Sequence, residues 1–246
     1  MSENIRYERQ IAIEQIGEVG QAKLGAARVL VVGAGGLGSP TLTYLARAGV
    51  GYLKVIDLDV VSESNLNRQF FYHNDDLGKS KAILASERLR KQNPEIQVCG
   101  VETRITEENI AELLVDIDVV VDCVDNIETR LIMNRACMKK GIPLVEAGIA
   151  DFYGFVTVVH RQTACLECMG FRIDDVQKVT PTLGATAGVV GSMQALECIK
   201  IILGMDGVAY GKMLQYDGIN GTLETIPIGV ADHCCIHKAM KLEDVD

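Results

Sequence analysis

The chain lacks internal repeats, low-complexity tracts and any linker long enough to separate domains cleanly. Its 246 residues therefore fit one large α/β domain, or one domain with a small appendage. Aromatic residues are scarce, at 5% with no tryptophan, but the hydrophobic share is 48%, so a core can be buried without disulfide staples. Positive charge is also in deficit: 24 Lys and Arg against 33 Asp and Glu leave a net charge of -9. That balance removes any general attraction to nucleic acid or to an anionic membrane, so the basic residues that matter must be concentrated in a site. The opening Met-Ser-Glu-Asn-Ile-Arg has no apolar core of the secretory kind and sets the expectation of a cytoplasmic protein. The apolar stretch Leu183 to Leu203 carries Ser192, Gln194, Glu197 and Lys200, and reads as a buried or interface helix rather than a membrane span. Eight cysteines in a reducing compartment argue against a disulfide framework, and paired spacing then points to metal or catalysis.

What is present is an alternation of strand and helix patterns. Helices are expected over Ile5 to Ile16 and Val19 to Ala26, then a strand over Arg28 to Val32 and a helix from Ser39 to Ala48 ended by Gly49. A second strand, Tyr52 to Ile56, runs into Asp57-Leu-Asp59; Ser64 to Gln69 is polar and irregular; Lys79 to Lys91 has helical period. Ile96 to Val101 alternates like a strand, a helix with an acidic first turn starts at Thr106, and Asp118 to Asp122 is a compact apolar strand ending at Asp125-Asn126. A helix from Ile127 to Lys139, broken by Gly141, leads to a strand at Pro143 to Glu146. Beyond Asp151 come a strand at Phe155 to Val159, a long helix from Gly184 to Leu203, and a hairpin of Lys212 to Tyr216 with Thr222 to Ile226 around Gly218-Ile-Asn-Gly221. Such alternation implies right-handed crossovers and a doubly wound, Rossmann-like, mainly parallel α/β sheet, extended in its last third by antiparallel strands.

Gly33, Gly35 and Gly38 form G-x-G-x-x-G directly after the first strand. The first glycine permits the sharp turn, the second a close backbone approach to phosphate, and the third tight packing of helix on strand. A purely structural glycine turn would look the same in isolation, but Asp57 follows Gly38 by 19 positions, where a ribose-binding carboxylate belongs. The glycine loop, Asp57 and Asp125 all fall at predicted carboxyl ends of strands, the edge at which ligands bind such sheets. Arg68, Lys79 and Lys81 stand near a loop suspected of holding phosphate, where Arg supplies bidentate contact and Lys a point charge. Asp125 suits either an Mg²⁺ ligand or a cap of the helix that begins near Asn126.

Cys165-Leu-Glu-Cys168 and Cys234-Cys-Ile-His237 make two short hooks suited to a closed, tetrahedral structural Zn²⁺ of Cys₃His type, with Cys235 or His233 as substitutes for one ligand. Such a site would pin the C-terminal tail to the sheet. Cys99, Cys123, Cys137 and Cys198 lie in apolar elements and read as small core residues.

Taken in order, Arg6-Tyr-Glu-Arg-Gln10, Gly33-Ala-Gly-Gly-Leu-Gly38, Asp57-x-Asp59, Ser64-Asn-Leu-Asn-Arg-Gln69, Gly78-Lys-Ser-Lys81, Asp122-Cys-Val-Asp-Asn126 and the two metal hooks resemble the ThiF/MoeB/HesA adenylyltransferases, relatives of the ubiquitin-activating enzymes, over nearly the full length. The resemblance implies an ATP-dependent homodimer that adenylates a carboxylate, usually the C-terminal glycine of a ubiquitin-like sulfur carrier, and that holds a structural zinc. By position it implies Asp57 on the ribose, Asn65, Arg68 and Lys81 on the triphosphate, Asp125 on Mg²⁺, and Arg9 reaching the γ-phosphate from the partner subunit. Gly36, Asp59, Gln69 and Asn126 join the nucleotide-binding set. One adenylation domain over 1–246 is expected, with N-terminal helices (1–27), a nucleotide-binding core (28–150) and a sheet extension with the zinc site (151–246). The alternatives are activation of a small-molecule carboxylate and a non-catalytic or NAD-binding Rossmann protein. Two departures mark the chain: Met169 to Pro181 holds no cysteine for a thioester, and His237 stands where a fourth cysteine is usual.

Overall fold

In β1 (Arg28–Val32) the four residues after Arg28 are an unbroken aliphatic run, as a strand covered on both faces requires, and the rest of the sheet is laid out on either side of it. The computed structural model describes residues 5–173 and 180–243. In chain order the elements are α1 (Glu8–Ile11), α2 (Gly17–Ala26), β1, α3 (Gly38–Ala48), β2 (Tyr52–Ile56), α4 (Lys81–Gln92), β3 (Gln97–Val101), α5 (Ile110–Leu113), β4 (Val119–Asp122), α6 (Ile127–Lys140), β5 (Leu144–Ala150), β6 (Tyr153–Val159), α7 (Gly184–Leu203), β7 (Lys212–Asp217), β8 (Thr222–Pro227) and α8 (Cys235–Glu243). They form one eight-stranded sheet in the order β3-β2-β1-β4-β5-β6-β7-β8. The first five strands pair in parallel and the last three join antiparallel, so the expected Rossmann-like sheet with an antiparallel extension is what the chain adopts.

Side chains alternate between two cores with the period of two that a strand imposes. Val29, Val31, Val119, Val121 and Val145 face α2, α3, α4 and α7. Leu30, Val32, Val120 and Leu144 face α5, α6 and the cysteine-bearing loops. Val32 of β1 lies opposite Ile56 on β2 and Asp122 on β4, so three central strands end level with one another. Their following loops therefore open onto a common edge.

Among the described residues α7 is the one helix long and apolar enough to cross a membrane, and half of it is buried. It packs on α3 and on β5, with Thr186, Val190, Gln194 and Cys198 turned inward, as expected of a core helix.

Three local expectations are corrected. The helix expected over Ile5 to Ile16 stops at Ile11: Gln10 is drawn to the end of α3, donating to Ala48 O at 2.8 Å, and the chain turns at Ile13, whose carbonyl accepts from Ile16 N and Gly17 N. The helix expected from Thr106 is shorter, Ile110–Leu113: Thr106 and Asn109 exchange side-chain and main-chain hydrogen bonds as a capping box, and the acidic turn between them leads in through Ile110 N, which donates to Thr106 O at 3.1 Å. β5 runs on to Ala150 and pairs with β6 from Tyr153; Gly148 hides the strand pattern, yet a Cβ there would meet the Phe155 ring at 2.5 Å.

Candidate active site

The level strand ends open into a cleft of about 1,240 Å³ that extends past the glycine loop across β5, β6 and β7. Gly33 turns the chain at φ +96°, with its amide donating to Ile56 O at 2.7 Å. A Cβ on Gly38 would stand 2.1 Å from Gly33 O, so the first turn of α3 packs on the strand end only because that residue has no side chain. Gly35 and Gly36 differ. A Cβ at Gly35 would make only ordinary contact with Gln69 Nε2 at 3.4 Å, and one at Gly36 would meet nothing nearer than 3.5 Å. Their bare backbone faces the cleft without any demand from the surrounding packing.

Asp57 is braced against that loop: its Oδ2 accepts from Ala34 N and its Oδ1 from Asp59 N, both at 2.8 Å. Burial pushes its carboxyl above the usual range, with the two amide donors opposing the shift. The buried Tyr72 hydroxyl lies 2.8 Å from Ala34 O and holds the loop from behind, a role that an aromatic residue in a polar segment does not announce. Arg68 lines the cleft, its Nη1 donating to Ser64 O at 2.8 Å and to Asn67 Oδ1 at 3.0 Å. Gln69 is buried beside Gly35, and its Oε1 has no hydrogen-bond partner. Asn65 and Lys81 stand behind this wall: Asn65 Oδ1 accepts from Ser62 N at 3.1 Å, and buried Lys81 reaches Asp59 Oδ2 at 3.0 Å. Asn126 caps α6 by accepting from Thr129 N at 3.0 Å, so the capping role weighed for Asp125 falls to its neighbour. Asp125 lines the cleft.

Gly33, Gly35, Gly36, Asp57, Asp59, Arg68, Gln69, Asp125 and Asn126 thus share one cavity. Arg9 does not. It is exposed on α1, which packs at the C-terminal end of α3, a helix of 11 residues or about 16 Å from the glycine loop. Two buried charged residues went unread in the sequence: Arg130, which lines the cleft, and Glu146 beneath it, whose only signal is a charge directly after an aliphatic pair; buried Asp122 entered only as a member of its motif.

On the other side of α6 the two hooks meet. Cys165, Cys168, Cys234 and His237 bring their donor atoms within 4.8 Å of one another, with Cys165 Sγ 3.7 Å from Cys168 Sγ and 3.6 Å from Cys234 Sγ. Tetrahedral zinc with sulfur at about 2.3 Å requires sulfur separations of about 3.8 Å, so the donor set fits that ion. His237 Nδ1 lies 3.3 Å from Cys234 Sγ, while Nε2 is 2.9 Å from Thr163 O and donates to it, which leaves Nδ1 as the ligating nitrogen. Cys235 is directed away, its thiol donating to Glu167 Oε2 at 3.0 Å. Buried Cys123, Cys137 and Cys198 are core residues whose thiols burial pushes far above the usual range. Cys99 is not: β3 is the edge strand, and Cys99 is on its exposed face. Of the cysteine-free stretch Met169 to Pro181, residues 174–179 lie outside the described residues.

Residues 7–236 match the ThiF family. The chain belongs to the ThiF family. SAMP-activating enzyme E1 of Haloferax volcanii is 39% identical over 249 residues, covering 98% of this chain and 92% of that protein. The sulfur carrier protein adenylyltransferase of Thermus thermophilus is 38% identical over 241 residues, covering 93% and 89% respectively. The adenylyltransferase and sulfurtransferase MOCS3 of Mus musculus is 41% identical over 230 residues, but this ThiF-family chain spans only 50% of its length. The expected adenylyltransferase class agrees with the names of two of these relatives. Among solved structures, E. coli MccB with ATP superposes with a TM-score of 0.83 at 24% identity over 96% of this chain and 74% of that one, which shows a shared fold.

Proposed function

We propose that this ThiF-family chain is an ATP-dependent adenylyltransferase acting on the C-terminal glycine carboxylate of a ubiquitin-like sulfur-carrier protein. The observation that carries the reading is the cleft itself: a glycine loop, a ribose-type aspartate and Arg68 occupy one end, and open space continues over β5 to β7 for a second, extended substrate. The Haloferax and Thermus relatives, named for a SAMP and a sulfur carrier, support a protein tail in that arm.

In this reading a carboxylate oxygen of the carrier attacks the α-phosphorus in line. The new O–P bond forms as the bridging bond to the β-phosphate breaks, and pyrophosphate leaves. The carboxylate is ionised at neutral pH and needs no general base, so catalysis consists of positioning and charge dispersal. Asp57 holds the ribose hydroxyls; Gly35 and Gly36 let main-chain N–H groups approach phosphate; Asn65, Arg68 and Lys81 hold the triphosphate, with Asp59, Gln69 and Asn126 shaping that wall. Asp125, a hard oxygen donor on the cleft wall, suits Mg²⁺, which takes one or two carboxylates together with phosphate oxygens. That ion, when bound, neutralises charge on the phosphates. With no cysteine in Met169 to Pro181, the reaction ends at the acyl-adenylate.

The remaining elements of the proposal are a homodimer, a structural zinc, a single adenylation unit over the chain and a cytoplasmic setting. Tyr44, Phe70, Val189 and Leu196 form an exposed apolar face on α3, α7 and the adjoining loop, which supports a dimer. A partner subunit would bring Arg9 to a γ-phosphate that it cannot reach within its own chain. ATP–pyrophosphate exchange tests the activity: stimulation by a glycine-ended carrier is the expected result, while exchange only with a small acid would move the substrate to that class. No exchange with any carboxylate, combined with tight NAD binding, would overturn the enzyme reading.

A further inference from the structure

We propose that Arg130 is the positioning residue of this site, holding the main chain at Val124 so that the carboxylate of Asp125 is fixed on the cleft wall. The four residues between β4 and α6, 123–126, carry Asp125 and Asn126. Val124, which precedes Asp125, has both of its main-chain polar groups tied to buried charged side chains. Its amide donates to Asp122 Oδ1 at 2.9 Å, and its carbonyl accepts from Arg130 Nη2 at 2.5 Å. The same guanidinium donates through Nη1 to Ala147 O at 2.7 Å and pairs with Glu146 Oε1 on β5. Arg130, in the first turn of α6, therefore reaches back under the start of its own helix and fastens the loop to the neighbouring strand.

The arrangement is not explained by stability. Glu146 and Asp122 are fully buried, Arg130 nearly so, and one oxygen of each carboxylate, Glu146 Oε2 and Asp122 Oδ2, has no hydrogen-bond partner. Apolar residues of similar volume would hold the fold as well or better, because the desolvation of buried charges is recovered only in part. What a planar guanidinium supplies is direction, with several donors fixed relative to one another. Here they set the peptide plane from which the Asp125 backbone departs. Glu146 pairs with the guanidinium directly, while Asp122 holds the Val124 amide from the other side, so the peptide before Asp125 is gripped at both of its polar groups.

This inference rests on the reading of Asp125 as the Mg²⁺-holding residue, and its test separates the two. Arg130→Lys keeps the charge but cannot span Val124 O, Ala147 O and Glu146 at once. ATP affinity would be measured with and without Mg²⁺, alongside circular dichroism and amide hydrogen exchange of residues 123–127. The expected result is a native spectrum, faster exchange at 123–127, about tenfold weaker binding in Mg²⁺ as for other supports of metal ligands, and unchanged binding in EDTA. Equal loss with and without Mg²⁺ would make Arg130 a direct nucleotide contact and overturn the proposal, as would an unaltered exchange pattern. If Arg130→Lys does not fold, Glu146→Gln, which keeps an acceptor for the guanidinium, is expected to shift Mg²⁺-dependent affinity in the same direction by a smaller factor; no shift would count against the proposal. Asp125→Asn checks the foundation: if it leaves Mg²⁺-dependent binding intact, the magnesium role falls, while faster exchange in Arg130→Lys still reports on loop fixation alone.

Discussion

Lys81 and Asp59 form an ion pair of 3.0 Å whose two ends sit in different surroundings, the ammonium almost wholly buried and the carboxylate 70% exposed at the rim of the cleft. Asp59 also accepts from Lys81 N through its main-chain carbonyl, so the lysine is held twice by one residue. In the proposed enzyme this is a cation held in reserve until a triphosphate competes for it. Lys81→Met is expected to lower ATP–pyrophosphate exchange by about a hundredfold or more, the scale of losing one transition-state charge contact, while Asp59→Asn lowers it less. Steady-state exchange rates at saturating carrier check both.

The two halves of the glycine motif separate fold from binding. Gly38→Ala places a Cβ against Gly33 O, which cannot give way, and is expected to destabilise the protein by about 2–4 kcal/mol or prevent its accumulation. Gly36→Ala meets only ordinary contacts and is expected to melt like the parent while ATP affinity falls. Chemical denaturation and nucleotide titration measure the two effects. A Gly36→Ala variant that binds ATP normally would remove phosphate from that stretch of backbone.

Asp125→Ala is expected to abolish exchange with the fold intact; survival within a few-fold would refute its magnesium role. Mixed dimers of Arg9→Ala and Asp125→Ala subunits are expected to regain some of the activity, because one of the two sites then receives both residues. Failure to complement, with dimers confirmed by sedimentation, would place Arg9 outside the reaction.

Elemental analysis is expected to find about one zinc per chain. The metal should be lost in Cys165→Ser/Cys168→Ser, and retained in Cys235→Ser and His233→Ala, since Cys235 points to Glu167. Loss of metal in Cys235→Ser would contradict the ligand set drawn from the geometry.

The parallel half of the sheet was legible because β1, β2 and β4 are short, predominantly apolar strands that end in aspartate or are followed by glycine or aspartate; composition and punctuation agree there. Legibility failed where a side chain formed a long-range bond, as Gln10 does in reaching Ala48 and overriding the local helical pattern. Within the site, the residues facing the cleft could be placed from motif order. Their supports could not. Tyr72, Arg130 and Glu146 matter through partners that only the folded chain brings near, as when Arg130 meets Glu146 on a different element.

The hooks that meet at Cys165 and Cys234 are 69 residues apart, and α7 and the β7–β8 hairpin lie between them. A chain emerging in order presents the first hook early and the second only after those elements have been made. The complete donor set therefore exists only once the antiparallel half has closed, so in the proposed enzyme metal capture would come late, as a seal on finished folding. An ion held there would close the enclosed segment into a loop and lower the entropy that its unfolding could gain, stabilising α7 and the hairpin together.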